Sequence, residues 1–289
     1  METIPFLWTN DDVSVGKSDQ LRRQMNFLSE FGVCGTFFVV PIGGEQSIAD
    51  DAELLDTIAE GRDQGHEFHQ HGTRHTPFEC GVPETWMLDF SPEVRRRYDD
   101  ERLQIEQKHS FESLVRMLEE GRGVWREAFG VDPVGFRPGW GAFCGELYRA
   151  LDALGYEWVS SRIAGITSWL WNQGEWDAPE GLRECVEWRP YEIFGTSVWE
   201  VPMTGGDYAF HVPHNEEKIS AMVDLAMREF EFCREQGVPF VMVSHWHGLA
   251  RNEDSGYAVH RKLLPKILES GYARPVTISQ MLQEQSGTK

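Results

Sequence analysis

The sequence lacks an excess of basic residues and lacks any long hydrophobic run. Lysine and arginine total 27 against 47 aspartate and glutamate residues, which gives a formal net charge of −20. A surface with this charge repels nucleic acid and anionic membranes, so we expect neither as a partner. The absence of an apolar run of about 18 residues argues against a membrane-spanning helix. A small molecule is therefore the expected binding partner.

Paired cysteines and a leader segment are also missing. The five cysteines are odd in number, scattered and without a Cys-x-x-Cys pair, which is typical of reduced thiols. The first residues, 1–6, contain neither a basic region nor an apolar stretch, so the sequence predicts no signal peptide there. Together these features predict a cytoplasmic protein. The oligomeric state is left open, and a homo-oligomer is compatible with the sequence.

Short apolar runs alternate with helical patterns along the whole chain. β-branched and aromatic runs predict strands, and apolar residues recurring every three or four positions predict helices. The predicted strands cover residues 6–8, 33–40, 66–70, 134–137, 157–161, 198–202 and 240–244. The predicted helices cover residues 21–31, 49–60, 98–120, 145–154, 216–235 and 260–270. Such alternation predicts an α/β fold with a mostly parallel sheet, and about seven units are enough to close a barrel.

The pattern predicts a single domain over residues 1–289, with one interruption. Residues 164–190 show no clear period and contain four tryptophans, so we interpret them as a long loop excursion. Loops of this length often act as lids over a binding site, and we expect that role here.

Polar residues follow several of the predicted strands at their carboxyl ends. They are Asp11, Asp12, His71, Arg137 and His245. Active sites of barrels gather at this end of the strands, so these side chains are expected to lie close together.

A metal site is predicted from Asp12, His71 and His75. The two histidines are spaced i, i+4, which predicts one face of a helical turn. Two histidines and one aspartate leave room for water, as a hydrolytic site requires, and we expect one divalent ion, with zinc favoured. His69 would share a strand face with His71 and is the main competing ligand.

The other candidate site residues each have a catalytic and a structural interpretation. Asp11 is a candidate base, although adjacent aspartates are also common in turns and helix caps. His245 could protonate a leaving group or be a structural histidine, and His247 is the alternative acid. The pair His211 and His214 is interpreted as loop residues.

Several segments resemble the motifs of the NodB-type polysaccharide deacetylases, or carbohydrate esterase family 4. Residues 9–13 (TNDDV) resemble the first motif, T-F-D-D-G, and residues 65–75 (GHEFHQHGTRH) resemble the second, G-H-E-I-x-x-H-[ST]-x-x-H. Residues 136–141 (FRPGWG) resemble the third, F-R-P-P-Y-G, and the apolar run ending at His245 is similar to the last. The resemblance implies a distorted (β/α)7 barrel of the NodB type.

The resemblance also implies a role for each matching residue. Asp11 would be the general base and His245 the general acid, while Arg137 would orient the base. A divalent metal, often zinc in this family, would be held by Asp12 and the two histidines of the second motif. Trp140 and Trp246 lie beside motif residues, and we expect them to stack on a sugar ring.

The chain departs from the family pattern at several positions. Asn10, Val13, Gly72 and Gly139 replace family residues, and no D-x-x-D-W motif is found, so the partner of His245 is not identified. The form His-Gly-x-x-His also resembles the branch that includes allantoinase. We expect a metal-dependent hydrolase that removes an N-acyl group from an amino sugar or short oligosaccharide. The alternatives are hydrolysis of another C–N bond, as in a cyclic ureide or formamide, and a non-catalytic carbohydrate-binding relative.

Overall fold

The computed structural model describes residues 3–178 and 187–287. The strands are β1 (Ile4–Val13), β2 (Gly35–Val39), β3 (Ile42–Gly43), β4 (Gln46–Ser47), β5 (Glu67–His71), β6 (Gly135–Arg137), β7 (Trp158–Val159), β8 (Tyr191–Glu192), β9 (Trp199–Glu200), β10 (Phe240–His245) and β11 (Ala273–Pro275). The helices are α1 (Ser18–Ser29), α2 (Ala52–Asp63), α3 (Thr85–Leu88), α4 (Pro92–Gln107), α5 (Phe111–Phe129), α6 (Gly145–Ala153), α7 (Thr167–Asn172), α8 (Glu216–Gln236), α9 (Trp246–Leu249), α10 (Arg251–Glu269) and α11 (Ile278–Gly287). None of these helices is long and apolar enough to cross a membrane.

The main sheet has the order β10-β1-β2-β5-β6-β7-β9-β8, and β11 pairs with the start of β1. Every pair is parallel except β8 with β9. All five residues of β2 are buried, as expected for a parallel strand covered on both faces. The outer layer is formed by helices, with α8 packed on α10 and α5 packed on α6.

Residues 203–207 connect the two ends of this sheet. Met203 bridges to Ile163 beyond β7, and Asp207 bridges to Val243 of β10. The N–H of Gly205 donates to the carbonyl of residue 241 at 2.9 Å. The seven strands from β10 to β9 thus curl into a distorted barrel that is closed by single bridges in place of a regular ladder. This confirms the predicted α/β fold of the NodB type.

Three predicted elements differ from the structure. β1 does not end at the two aspartates but runs through them to Val13. The helix predicted over 98–120 is two helices, α4 and α5, because Ser110 caps a new helix by accepting a hydrogen bond from the N–H of Ser113. The predicted excursion over 164–190 is not all loop, since it contains α7. Residues 179–186 of that segment lie outside the described residues.

Candidate active site

Strand ends bring the predicted polar residues together at one edge of the barrel. Asp11 of β1 is the register partner of His245 in β10, and His71 of β5 is the partner of Arg137 in β6. All four side chains line one cavity. The edge is the carboxyl end of the parallel strands, where barrel active sites are found.

Asp11 and Asp12 are adjacent but face different partners. The register of β1 with β2 shifts within residues 10–13, and Asp12 has a φ of 69°. A bulge of this kind redirects a side chain relative to a regular strand. Asp11 therefore forms an ion pair with Arg137, whereas Asp12 lies beside His75.

Asp12, His71 and His75 form a cluster that could hold a metal ion. One ligand atom from each residue lies within 4.8 Å of the other two. Oδ1 of Asp12 is 3.1 Å from Nε2 of His75 and 3.5 Å from Nε2 of His71. Within the described ranges, Asp12 Oδ1 and His71 Nε2 are buried atoms without a hydrogen-bond partner, although such atoms are nearly always partnered. A cation between them would satisfy both, and two histidines with one carboxylate are ligands that suit zinc.

The protonation states of the three residues also suit a metal ligand. Nδ1 of His71 lies 3.0 Å from the carbonyl oxygen of Arg137, which can only accept, so the proton is on Nδ1 and Nε2 presents its lone pair. Burial lowers the pKa of His75 to about 4. Burial alone would raise the pKa of Asp12, but the surrounding histidines outweigh it and hold that pKa well below its usual range. Asp12 and His75 are therefore deprotonated near neutral pH, as metal binding requires.

The connection between the two histidines is not the helical turn that their spacing predicts. His71 is the last residue of β5, and the chain then bends through left-handed backbone at Gly72 (φ 56°) and His75 (φ 57°). Glu79 fixes this path, since its carboxylate accepts hydrogen bonds from the three consecutive N–H groups of residues 73–75 at 2.7–3.1 Å. Glu79 was not among the predicted site residues.

The departure from the family pattern at position 139, where glycine replaces the second proline, has a structural reason. A Cβ atom at Gly139 would lie 2.7 Å from Cδ2 of the His75 ring. A proline at this position would therefore displace the ring. The glycine permits the close approach that brings His75 to the cluster.

Arg137 is buried and surrounded by acceptors. One terminal nitrogen donates to Oδ1 of Asp11 at 2.7 Å and to Oγ1 of Thr9 at 2.9 Å, and the other donates to Oγ of Ser160 at 2.9 Å. Its guanidinium carbon lies 4.0 Å from the centroid of the Phe38 ring. These contacts fix the guanidinium, so one oxygen of Asp11 is fixed and Oδ2 is turned toward the cluster, 4.0 Å from Nε2 of His71.

Asp207 is the partner of His245 that the sequence did not identify. Its Oδ2 lies 2.6 Å from Nδ1 of His245, and its Oδ1 accepts a hydrogen bond from the N–H of Ala209 at 2.8 Å. Burial opposes protonation of His245, but the carboxylates of Asp207, Asp12 and Asp11 outweigh it and raise the pKa of His245 to about 9. The signal in the sequence is a carboxylate that follows predicted strand 198–202 at the same edge of the barrel.

The structure separates the two candidate acids. Nε2 of His245 lies 4.0 Å from Oδ2 of Asp11, so it faces the candidate base. His247 instead faces Asp12, with Nδ1 at 3.6 Å from Oδ2 of that residue. Burial lowers the pKa of His247 to about 4, so this residue is neutral at the pH where His245 carries a proton.

The cavity has a volume of about 330 Å³. Trp140 lines it from the connection after β6, with backbone in the left-handed region (φ 60°). His211 also lines it and lies in a loop, as predicted.

Two predicted residues lie elsewhere. Trp246 is not among the lining residues, because its indole Nε1 donates to the carbonyl of Asp12 at 3.1 Å and Lys17 lies 4.5 Å from its ring centroid. The competing ligand His69 is also absent from the cavity and packs against Trp158, with ring centroids 4.5 Å apart.

Comparisons with solved structures agree with this fold. A Mycobacterium smegmatis protein assigned as a polysaccharide deacetylase is 16% identical with a TM-score of 0.59, covering 100% of this chain and 95% of that one. An acetyl xylan esterase of family 4 from Clostridium thermocellum, solved with a cobalt ion, is 13% identical with a TM-score of 0.53, covering 97% and 91%. A CE4 family pseudoenzyme from Bacillus anthracis is 14% identical with a TM-score of 0.50, covering 97% and 66%. At these identities the likeness concerns the fold.

A comparison with curated proteins finds no match. The family model described as polysaccharide deacetylase matches residues 6–159, which is just over half of the chain and includes the first three motifs. The chain therefore belongs to the polysaccharide deacetylase family.

Proposed function

We propose that this chain is a metal-dependent hydrolase that removes an N-acyl group from a compact amino compound. One observation carries the proposal. Asp11, which is paired with Arg137, and His245, which is paired with a carboxylate, lie beside the candidate metal cluster. Two buried ligand atoms of that cluster have no hydrogen-bond partner among the described residues. Hydrolysis of an amide needs a site for the water, a base and an acid, and each has a candidate here.

The residues divide this work between them. Asp12, His71 and His75 would hold one divalent ion, with zinc favoured by the ligand set. A bound divalent ion lowers the pKa of water and polarises the acyl oxygen. Asp11, whose Oδ1 is fixed by Arg137, would accept the proton of the attacking water. His245 would donate its proton to the leaving nitrogen, so that the products are a carboxylate and an amine.

The size of the cavity supports a small substrate. A volume of about 330 Å³ lies at the lower end of the range of roughly 300–1,000 Å³ for small-molecule sites. An acylated amino sugar or short oligosaccharide is the class that the family suggests. A cyclic ureide or another compact C–N substrate is the second candidate, because a cavity of this volume also fits a single small ring. We also propose the cytoplasm as the location, on the basis of the cysteine usage.

A non-catalytic role is the third candidate, since a structural neighbour is a pseudoenzyme. The candidate base, acid and three metal ligands line one cavity, and Arg137 and Asp207 form hydrogen bonds with the base and the acid, which argues against a non-catalytic role. A binding protein does not need these groups.

Metal analysis followed by product release tests the proposal. The purified chain is expected to contain about one divalent ion per molecule. It should release amine and carboxylate from N-acyl mono- and disaccharides, or open a ureide, and the metal-stripped chain should not. Rates that rise steadily with the length of chitin or peptidoglycan strands would contradict a small substrate. Absence of metal together with absence of turnover on the whole panel would contradict the hydrolase assignment.

A further inference from the structure

The cavity is lined by two kinds of side chain. One set comprises the candidate metal cluster, base and acid. The other set consists of large apolar side chains, which include Met87, Phe90, Ile163, Trp169, Met203 and Phe210. Four of these, Met87, Ile163, Trp169 and Met203, belong to one buried cluster. A bound substrate would therefore meet a continuous apolar wall next to the reacting groups.

Aromatic rings of this wall flank His245. The ring of Trp169 meets that of His245 edge to face, with centroids 5.7 Å apart, and Phe210 does so at 5.0 Å. Phe90 stacks on Trp169 at 6.3 Å. Because His245 is the candidate donor to the leaving nitrogen, the group attached to the scissile bond would lie between these rings. Planar apolar groups gain most from such an environment.

Few side chains described along the cavity lining can form hydrogen bonds with a ligand. Among the described residues, and beyond the reacting ones, three lining residues other than tryptophan have polar side chains, namely Gln173, His211 and His247, and His211 already contacts Arg251 at 2.9 Å. Trp169 lines the cavity, but its indole Nε1 is a buried atom, which within the described residues has no partner. A hexosamine brings several hydroxyl groups, and each one that is buried without a partner weakens binding.

We infer that the substrate is a compact amide with a planar, apolar body, such as an aryl amide or a cyclic amide, in place of a polyhydroxylated sugar. The inference rests on the proposed hydrolase function and specifies its substrate class. The apolar wall would accommodate the body, and the candidate metal cluster and His245 would face the C–N bond. A cavity of about 330 Å³ fits one such body and not a chain of rings.

Hydroxamic acids can test the substrate class independently of the metal site. All of them bind a metal through the same two oxygens, so differences in their affinity report on the group attached to those oxygens. We would titrate the zinc-loaded chain by calorimetry with acetohydroxamate, benzohydroxamate and the sugar-derived gluconohydroxamate. Benzohydroxamate is expected to bind at least tenfold more tightly than gluconohydroxamate. Equal affinity, or preference for gluconohydroxamate, would overturn the apolar substrate class while leaving the metal site intact. Binding by none of the three would overturn the metal site and both proposals with it.

A variant of the wall makes the test specific. Phe90→Ser removes a half-buried ring of the wall, and it should reduce the preference for benzohydroxamate at least threefold without changing the affinity for acetohydroxamate. Phe194→Ser is the matched control, because Phe194 is fully exposed and does not line the cavity. A preference that survives Phe90→Ser unchanged would overturn the assignment of this wall as the substrate-binding surface.

Discussion

A Cβ atom on Gly72 would lie 2.6 Å from Oε2 of Glu79. The family pattern has serine or threonine at this position, so the glycine and the carboxylate are a matched pair in this chain. The carboxylate occupies the space that a side chain at position 72 would need, and it holds the three N–H groups that lead to His75. The position of one candidate metal ligand, His75, therefore depends on a residue that does not itself belong to the cluster.

Gly72→Ala is expected to weaken metal binding. The new methyl group would displace the Glu79 carboxylate, and the left-handed backbone at position 72 adds about 1–2 kcal/mol of strain. We expect at least a tenfold loss in zinc affinity, measured by competition with a chelator. Gly123→Ala is the control, because a Cβ there meets no atom within 4 Å and alanine favours the helix. Equal zinc affinity in the Gly72 variant and the parent would contradict the role of Glu79.

His75→Ala should lose the metal and keep the fold. The residue contributes one of three ligand atoms and lies in a loop outside the barrel core. Metal content after dialysis is expected to fall from about one ion per chain to nearly none, with little change in the far-UV circular dichroism. His69→Ala is the informative comparison, since it was the competing ligand, and it should retain the metal. Retention by His75→Ala and loss by His69→Ala would reverse the assignment.

Asp11→Asn should retain the metal and lose most of the turnover. A positioned base contributes about 10²–10⁴-fold, and the amide cannot accept the proton of the attacking water. The side chain keeps its shape, so the contact with Arg137 and the neighbouring Asp12 are preserved. Parallel measurement of metal content and kcat distinguishes this result from loss of the site. A variant with parental kcat would show that another group is the base.

The alkaline limb of the pH–rate profile should depend on Asp207. His245 has a pKa raised to about 9, so as an acid it is active below that pH and inactive above it. A bound divalent ion lowers this pKa, and the limb should lie at or below pH 9. Asp207→Asn removes a carboxylate that favours the protonated ring, so we expect the limb to move to lower pH by about 1–3 units.

His247→Ala is the control for that experiment. Burial lowers the pKa of His247 to about 4, so this residue carries no proton in the range of the alkaline limb. The limb should stay in place in the His247 variant. Movement of the limb in His247→Ala, with none in Asp207→Asn, would transfer the acid role to His247.

The sequence predicts most of the residues at the edge of the barrel because they follow strands with clear apolar patterns. Asp11, His71, Arg137 and His245 are each the last or nearly the last residue of a short strand, and parallel strands end at one edge. The apolar pattern of the sequence does not predict contacts that loop residues make. Asp207 and Glu79 lie in connections without a period, and their partners are distant in sequence or reached through backbone N–H groups.

The same limit explains why two local expectations differ from the structure. The spacing of His71 and His75 matches a helix, but the left-handed backbone at two positions places both rings together without one. Trp246 follows the candidate acid directly in sequence, yet its indole N–H is used by the backbone of Asp12. In each case a hydrogen bond or a backbone angle, and not a side-chain pattern, determines the direction of the ring.

Residues 164–190, the segment expected to act as a lid, are anchored to the rest of the chain through a buried asparagine. Asn172, at the end of α7, is buried and connects this segment to the loop that carries Asp207. Its Nδ2 donates to the carbonyl oxygen of Asp207 at 2.7 Å, and its Oδ1 accepts from the N–H of His211 at 3.0 Å. Loss of these bonds leaves the buried carbonyl oxygen of Asp207 and the part-buried N–H of His211 without their partner, and a buried group without a partner costs about 1–3 kcal/mol.

Asn172→Ala should therefore lower stability and loosen the cavity at the same time. We expect the free energy of unfolding in urea to fall by about 2–4 kcal/mol, because part of each loss is recovered by water. KM should rise more than kcat falls, since α7 also supplies Trp169 to the cavity wall while the base and the metal ligands lie on other elements. Asn26→Ala, an exposed asparagine on α1, is the control and should change neither quantity. A destabilised variant with parental KM would show that this segment supports the fold without shaping the substrate site.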